Sequence, residues 1–504
     1  MAAAGDRSPY ANSMDGQSKD QTKPASLDAA ELKKMYEVVF DGKDDVENVS
    51  KSMSNLRKWL ITLILSLTAV CVTMLSSAWS MAAENIMTHF GVSREVNVLG
   101  ISLFIFGLGT GPLFLSPISE FYGRKVTYIF GLALCSCFQF LTAFSPNYGA
   151  LLFGRFMSGF FGSAFLSVAG GTITDIFTKD EIGVPMCVFS LAPFSGPALG
   201  PVVSAFINEN LYWRWTFYVL LIFSGAMLLL IIIFVPETYV PMLLVKKAKR
   251  KRRETNDDQY FAPLELLKAE TSVVITCLTA PKRPIMLLLH DRMTFALCFY
   301  TGLALAIIYM FFVAFPYIFK TVFDFKSTAQ GLSFLGLLIG MLVGGSTSPY
   351  FQSLYNRKVE KLGRQKPEYR LYPMMVGSFL SPIGLFIFAF TSYPHLHWMG
   401  AIVGSAVFGC GVSFLFQGIF SYTGDAYRRY SASAMSCNSL VRSYMAGIFP
   451  LFALQMYESK MGINYSGMLI ALFMVFMIPL PFLFYLKGEQ IRSKSEYTWS
   501  EEEK

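Results

Sequence analysis

Apolar residues along this chain gather in blocks of about twenty, separated by short polar stretches, and the blocks show no two-residue alternation. About 20 apolar residues cross the hydrocarbon layer as a helix, whereas a membrane barrel needs short alternating strands. The pattern predicts an all-α integral membrane protein with twelve transmembrane helices. The expected spans are 57–81, 95–117, 125–144, 150–174, 183–207, 215–235, 293–316, 328–351, 372–391, 397–422, 431–457 and 464–486. The longest connection, 236–292, divides them six and six. The expected organisation is a tail (1–56), a six-helix bundle (57–235), a central loop (236–292), a second six-helix bundle (293–486) and a second tail (487–504).

Glycine spacing supports a repeat. The second span carries Gly107 and Gly111, and its counterpart, the eighth, carries Gly336, Gly340 and Gly344. The fourth and tenth spans each close on an aspartate, Asp175 and Asp425. Paired helical halves with a site between them are a recurrent transporter design.

Composition agrees. Of 504 residues, 53% are hydrophobic and only 15% charged, with a mean hydropathy of +0.45. Soluble chains carry about a quarter charged residues. All eight cysteines except Cys277 lie inside apolar blocks, where a thiol behaves as a small hydrophobe. His395 and His397 alone make a weak metal signal, so no metal or cofactor is expected. The polar first 56 residues predict no cleavable signal peptide, and 27–41 could form a short amphipathic helix.

Charge sets the expected orientation. Of the 42 lysines and arginines, five fall in the loops opposite the tails: Arg94, Arg214, Lys320, Lys326 and Lys460. Arg155 and Arg442 lie within spans, and all the others lie in the tails and tail-side loops. This asymmetry places both termini in the cytoplasm. It also accounts for the net charge of +8 without nucleic acid. The run KKAKRKRR at 246–253 reads as a positive-inside anchor, with contact to anionic lipid as the alternative.

Three features carry candidate chemistry. The loop after the second span, SPISEFYGRK (116–125), sets Glu120 one turn before Arg124, beside Gly123 and Lys125. So short a connection can hold two helix ends through charge pairs that form in one conformation and break in another; an ordinary tight turn is the plainer alternative. In the fourth span, Arg155, Gly159 and Ser163 follow at four-residue steps. A charge inside a span is a functional candidate, or else an arginine reaching back to the interface. In the fifth span, Ala192, Gly196, Gly200 and Ser204 form a ladder of small side chains that permits close helix approach. Pro193, Pro197 and Pro201 form a second ladder one step round, each freeing a carbonyl and favouring a bend.

Taken together these segments resemble the major facilitator superfamily. SPISEFYGRK is similar to its cytoplasmic loop signature, with Ser116 where most members have glycine and Glu120 in place of the commoner aspartate. The form PLFLSPISEFYGRK resembles the fungal twelve-span drug:proton antiporters. VPETYVPMLLVKKAKRKR (235–252), WRWTFYV (213–219) and SASAMSCNSLVRSYMAGIFPLFALQMY (431–457) agree with that family. The resemblance covers about 55–495.

It implies the major facilitator fold, a gating role for Ser116, Glu120, Gly123, Arg124 and Lys125, and a part for Arg155 in proton relay. It also implies an antiporter-type helix at Pro193, Gly196, Pro197, Gly200 and Pro201. Two places depart from the family: KDEIG (179–183) lacks its usual Arg-Gly pair, and YMFFVAFPYIF lacks the acidic residue many relatives carry before the proline. Titratable groups in the spans are otherwise sparse. Glu84 and Asp175 are the candidate partners of Arg155, and Arg442, with Asn438 one turn earlier, is either a substrate contact or helix glue.

The implied activity is proton-coupled export of small organic compounds, drugs or polyamines among them, by a multi-pass plasma-membrane protein. Its expected partners are the bilayer, protons and substrate, and it is expected to be monomeric. The alternatives are a proton-coupled importer or facilitator of a polyamine, siderophore or metabolite, a transport-dead sensor, and a vacuolar or endosomal location. No nucleophile-base set or phosphate loop suggests an enzyme.

Overall fold

The computed structural model describes residues 36–40, 52–178, 181–270, 272–363, 365–493, 495, 497 and 498. Span one runs Asn55–Ser77 and, after a break at Ala78, Trp79–Phe90. Spans two to six are Arg94–Tyr122, Arg124–Ala143, Tyr148–Ile176, Gly183–Asn210 and Arg214–Phe234. Span seven is Arg292–Thr321, and span eight is Ser327–Ser346 continued by Ser348–Leu362. Spans nine, ten and eleven are Tyr372–Thr391, Met399–Tyr427 and Ser431–Glu458; span twelve is Gly462–Phe476 continued by Pro479–Arg492.

Eleven of these helices are long and apolar enough to cross a membrane. The exception is span eleven, 28 residues long but carrying Ser436, Asn438, Ser439, Arg442 and Ser443 near its middle. It lies between spans seven and two, which take up much of its surface.

Three expectations change. Span one does not end at residue 81: beyond its break, Trp79, Ala82 and Ile86 are buried, and the helix continues to Gly91, which takes φ 63° as its cap. The polar pair Glu84–Asn85 hid this extension. The central loop is largely helical, in Val240–Thr255, Pro263–Glu270, Val273–Thr279 and Lys282–His290. The basic run rides on the first of these, where Pro241 favours helix initiation and lysine and arginine are good helix formers. Of the amphipathic helix expected at 27–41, only residues 36–40 are described. They are mainly extended: Glu37 forms a parallel bridge with Phe261, and Val38 is buried in a cluster with Val245, Ala248, Ala262 and Leu264.

Burial repeats across the halves. In spans one and seven 78% of the most apolar stretch is buried, and in spans six and twelve only 28%, so the first pair is central and the second faces lipid. Lipid tails are as apolar as leucine, so helices associate here through close packing of small residues. A side chain at Gly107 would lie within 2.7 Å of Phe160 N on span four, and one at Gly340 within 2.6 Å of the Ala406 carbonyl carbon on span ten. The two glycine ladders therefore do the same work in each half.

The halves meet mainly through two antiparallel pairs, span two on eleven and span five on eight. At the end opposite the tails, ion pairs tie them together. Lys320 Nζ lies 3.0 Å from Glu84, and Arg94 Nη1 lies 2.7 Å from Glu458 Oε1. Thr328 N also donates to Glu209 across 2.8 Å.

Candidate functional site

The break at Ala78 gathers most of what the sequence singled out. Interrupting a helix leaves carbonyls without their usual donors. Here Arg155 reaches across from span four: Nη1 donates to Leu75 O at 2.6 Å, Nη2 to Ser76 O at 3.2 Å, and Nε to Gly100 O of span two at 2.8 Å. Its guanidinium lies over the rings of Phe104 (4.5 Å) and Trp79 (5.3 Å). The side chain is buried, and each of its three nitrogens donates to a carbonyl.

Span five holds the same place from another side. A side chain at Gly200 would come within 2.9 Å of Met74 O and 3.0 Å of Ala78 N, and one at Gly196 within 2.7 Å of Val70 O. Ser204 Oγ donates to Ala78 O at 2.7 Å. The small ladder thus lies directly on span one at its break. Pro197 and Pro201 are buried, while Pro193 is half-buried. The other side of span five faces span eight, where a side chain at Gly331 would lie 3.0 Å from Pro201 O. From span seven, Tyr309 shares a 2.9 Å hydrogen bond with Ser76 Oγ.

The proposed carboxylate partners of Arg155 lie elsewhere. Glu84 is paired with Lys320 on the exposed surface, and Asp175 with Arg124 at 3.3 Å. Arg155 sits seven residues inside the opposite end of span four from Asp175, so the helix itself separates them by about 30 Å at 1.5 Å per residue. The break was the signal missed in the sequence; the adjacent pair Ser76–Ser77 was its trace, since such pairs accompany kinks.

At the tail end, the 116–125 loop works through a partner the sequence reading did not assign to it. Glu237, after span six and nearly buried, accepts from Arg124 N at 2.9 Å and Lys125 N at 3.2 Å, capping span three. Gly123 takes φ 93° beside this carboxylate, and a side chain there would strike it. Arg124 Nη1 donates to Ser119 Oγ, and its guanidinium lies 4.8 Å from the Tyr239 ring centre. Burial raises the Tyr239 phenol, Glu120 adds to this, and Arg124 opposes it; the ring stays neutral below its cation.

Lys125 Nζ reaches Ile232 O, Ser116 is half-buried, and Glu120 is exposed. The pairing expected for Glu120 and Arg124 is therefore replaced by Arg124–Asp175, because Glu120 points to solvent while Asp175 closes span four beside it. The second half echoes this: Arg370, entering span nine, bonds Asp425 at 2.8 Å. Arg492 bonds Glu368 at 2.8 Å with both side chains buried.

Arg442 is the second intramembrane arginine. Exposed Tyr444 and Ile448 mark the lipid side of span eleven; at about 100° per residue, Arg442 points to the opposite, interior side. It lies over Phe416 (5.7 Å) and Phe420 (5.5 Å) of span ten. Asn438 donates to Thr301 Oγ1 at 2.8 Å, joining spans eleven and seven.

Two six-helix repeats joined at spans two–eleven and five–eight define a membrane protein of the major facilitator type. The Major Facilitator Superfamily model matches residues 64–450, and the chain belongs to that family. It is 50% identical over 471 residues, 93% of this chain and 91% of the other, to a Saccharomyces cerevisiae protein named probable drug/proton antiporter YHK8. It is 38% identical to the efflux pump atB of Aspergillus terreus, over 91% of this chain and 89% of that one. It is 36% identical to the multidrug transporter mdrA of Aspergillus fumigatus, covering 92% and 76% respectively. Among solved structures, the xylose transporter XylE of E. coli in a partially occluded inward open conformation matches at a TM-score of 0.59 and 14% identity. That match covers 86% of this chain and 98% of XylE, and it speaks to the fold.

Proposed function

We propose that this multi-pass protein exports small organic compounds by proton antiport, alternating between states open to either side. The observation that carries the reading is span five, wedged with its glycine ladder on the span-one break and its other side on span eight of the opposite half. Any rocking of the halves must pass through this helix. The names of its fungal relatives, an antiporter and efflux pumps, support the direction of transport.

The ties at the end opposite the tails suit such a cycle. Exposed ion pairs contribute about 0.2–1 kcal/mol each, so Lys320–Glu84 and Arg94–Glu458 can break without a large barrier. The charged loops then lie on the cytoplasmic side, with both tails inside and the plasma membrane as the compartment. The 57–235 and 293–486 bundles would be the moving bodies.

Arg155 acts in this reading as a brace on span one. In proteoliposomes holding the full chain, substrate should move against the proton flow and stop when the proton gradient is collapsed. Flux that is indifferent to the gradient refutes the coupling, and net movement along the proton flow refutes export.

A further inference from the structure

The interior of the second half holds a cation that the helix packing leaves incompletely paired. Nε of Arg442 is enclosed without a hydrogen-bond acceptor among the described residues. Two acceptor oxygens of the same half, Gln417 Oε1 and Asn438 Oδ1, are likewise enclosed, without a donor among the described residues. A methionine of similar volume would pack there without the cost of an enclosed charge, so packing alone does not explain an arginine.

Arg442 lies eleven residues into span eleven, about 16 Å from its start and close to mid-depth. Beneath it are Phe416 and Phe420, and Phe416 is stacked on Phe194 of span five at 5.0 Å and 17°. The aromatic floor therefore crosses from one half to the other. Opposing charge is missing at this level. Among the described residues each carboxylate of the spans, from Glu84 and Asp175 to Asp425 and Glu458, lies within about two turns of a helix end. A cationic drug or polyamine would meet Arg442 with no acid to receive it.

We infer, building on the export reading above, that the substrates are amphipathic organic anions, aromatic carboxylates in particular, held by Arg442 alongside the Phe416–Phe420–Phe194 surface. A guanidinium offers a planar pair of donors that matches a carboxylate in two parallel hydrogen bonds. The ring of the substrate takes the apolar surface, and Gln417, beside Phe416, can hydrogen-bond polar substituents. Arg155, already bonded to three carbonyls, is not needed for this.

The test uses two probes with the same ring body, 1-naphthoate and 1-naphthylmethylammonium, with the purified full-length chain. Binding is read by calorimetry. The wild-type chain should bind the anion at least about tenfold more tightly than the cation. Arg442→Gln should erase that preference, Arg442→Lys should keep its sign, and Arg442→Glu should reverse it. Arg442→Lys retains the charge, so it separates loss of binding from loss of folding.

No naphthoate binding to the wild-type chain at millimolar probe, tighter binding of the cation, or a preference unchanged in Arg442→Gln overturns the inference. Flux of the same probes under an imposed pH gradient is the separate arm. Anion-selective binding without gradient-driven flux refutes the antiport and leaves the substrate class standing. Gradient-driven export of the cation without anion binding does the reverse.

Discussion

Replacing Arg155 by lysine separates a brace from a proton relay. Arginine spans acceptors on two helices, Leu75 O and Ser76 O on span one and Gly100 O on span two. A lysine ammonium is a point donor and cannot reach all three while remaining buried. Hydrogen bonds to a charged group contribute about 1.5–3 kcal/mol each. With two of three lost and the charge still buried, the substitution costs at least about 3 kcal/mol, more than a hundredfold in an equilibrium constant. Arg155→Met relieves the buried charge but leaves the three carbonyls without these donors, so lysine should be no better than methionine.

With exposed Cys137 and half-buried Cys187, Cys277 and Cys410 blocked beforehand, the buried thiols Cys71, Cys135, Cys298 and Cys437 supply the assay, because they react with a thiol-specific fluorophore only as the protein opens. The expected result is faster thermal opening in both variants, with residual transport keeping the wild-type dependence on pH. Wild-type thermal behaviour in Arg155→Lys, together with a displaced pH profile, would refute the brace and restore the relay.

Two further predictions concern helix contacts. Gly196→Val places a branched side chain against Val70 O and Thr73, and overpacking of this kind costs about 1–3 kcal/mol; transport in proteoliposomes should fall sharply, and normal efflux across a proton-tight membrane would count against span five as the moving wedge. Glu237→Ala removes the cap on Arg124 N and Lys125 N, so the tail-end start of span three should lose about 0.5–2 kcal/mol, seen as faster amide exchange there, while Glu120→Ala should leave it unchanged.

The periodicity of apolar blocks was enough to place eleven of the twelve helices in order, because a bilayer demands about 20 apolar residues per crossing and leaves few alternatives, whereas the more polar span eleven falls short of that measure. The glycine ladders of spans two and eight and the small ladder of span five were equally legible, since close helix approach requires small residues wherever it occurs. Sequence likewise marked Arg155 and Arg442 as charges that lipid would not tolerate. Their partners were not legible.

Arg155 is bonded to backbone carbonyls, and a carbonyl looks the same at every residue; Leu75 O and Ser76 O lie just before the break at Ala78. Glu237 caps span three from 112 residues further along the chain, a juxtaposition set by how spans three and six pack. Glu84 was a candidate because spacing along the chain carries no direction across a bundle, whereas Asp175, twenty residues along the same helix, was already out of reach of Arg155 at 1.5 Å per residue. Tertiary packing assigned them instead to Lys320 and Arg124, at opposite ends of the molecule. Local composition decides what can live in a membrane, and the packing of the helices decides which polar groups meet.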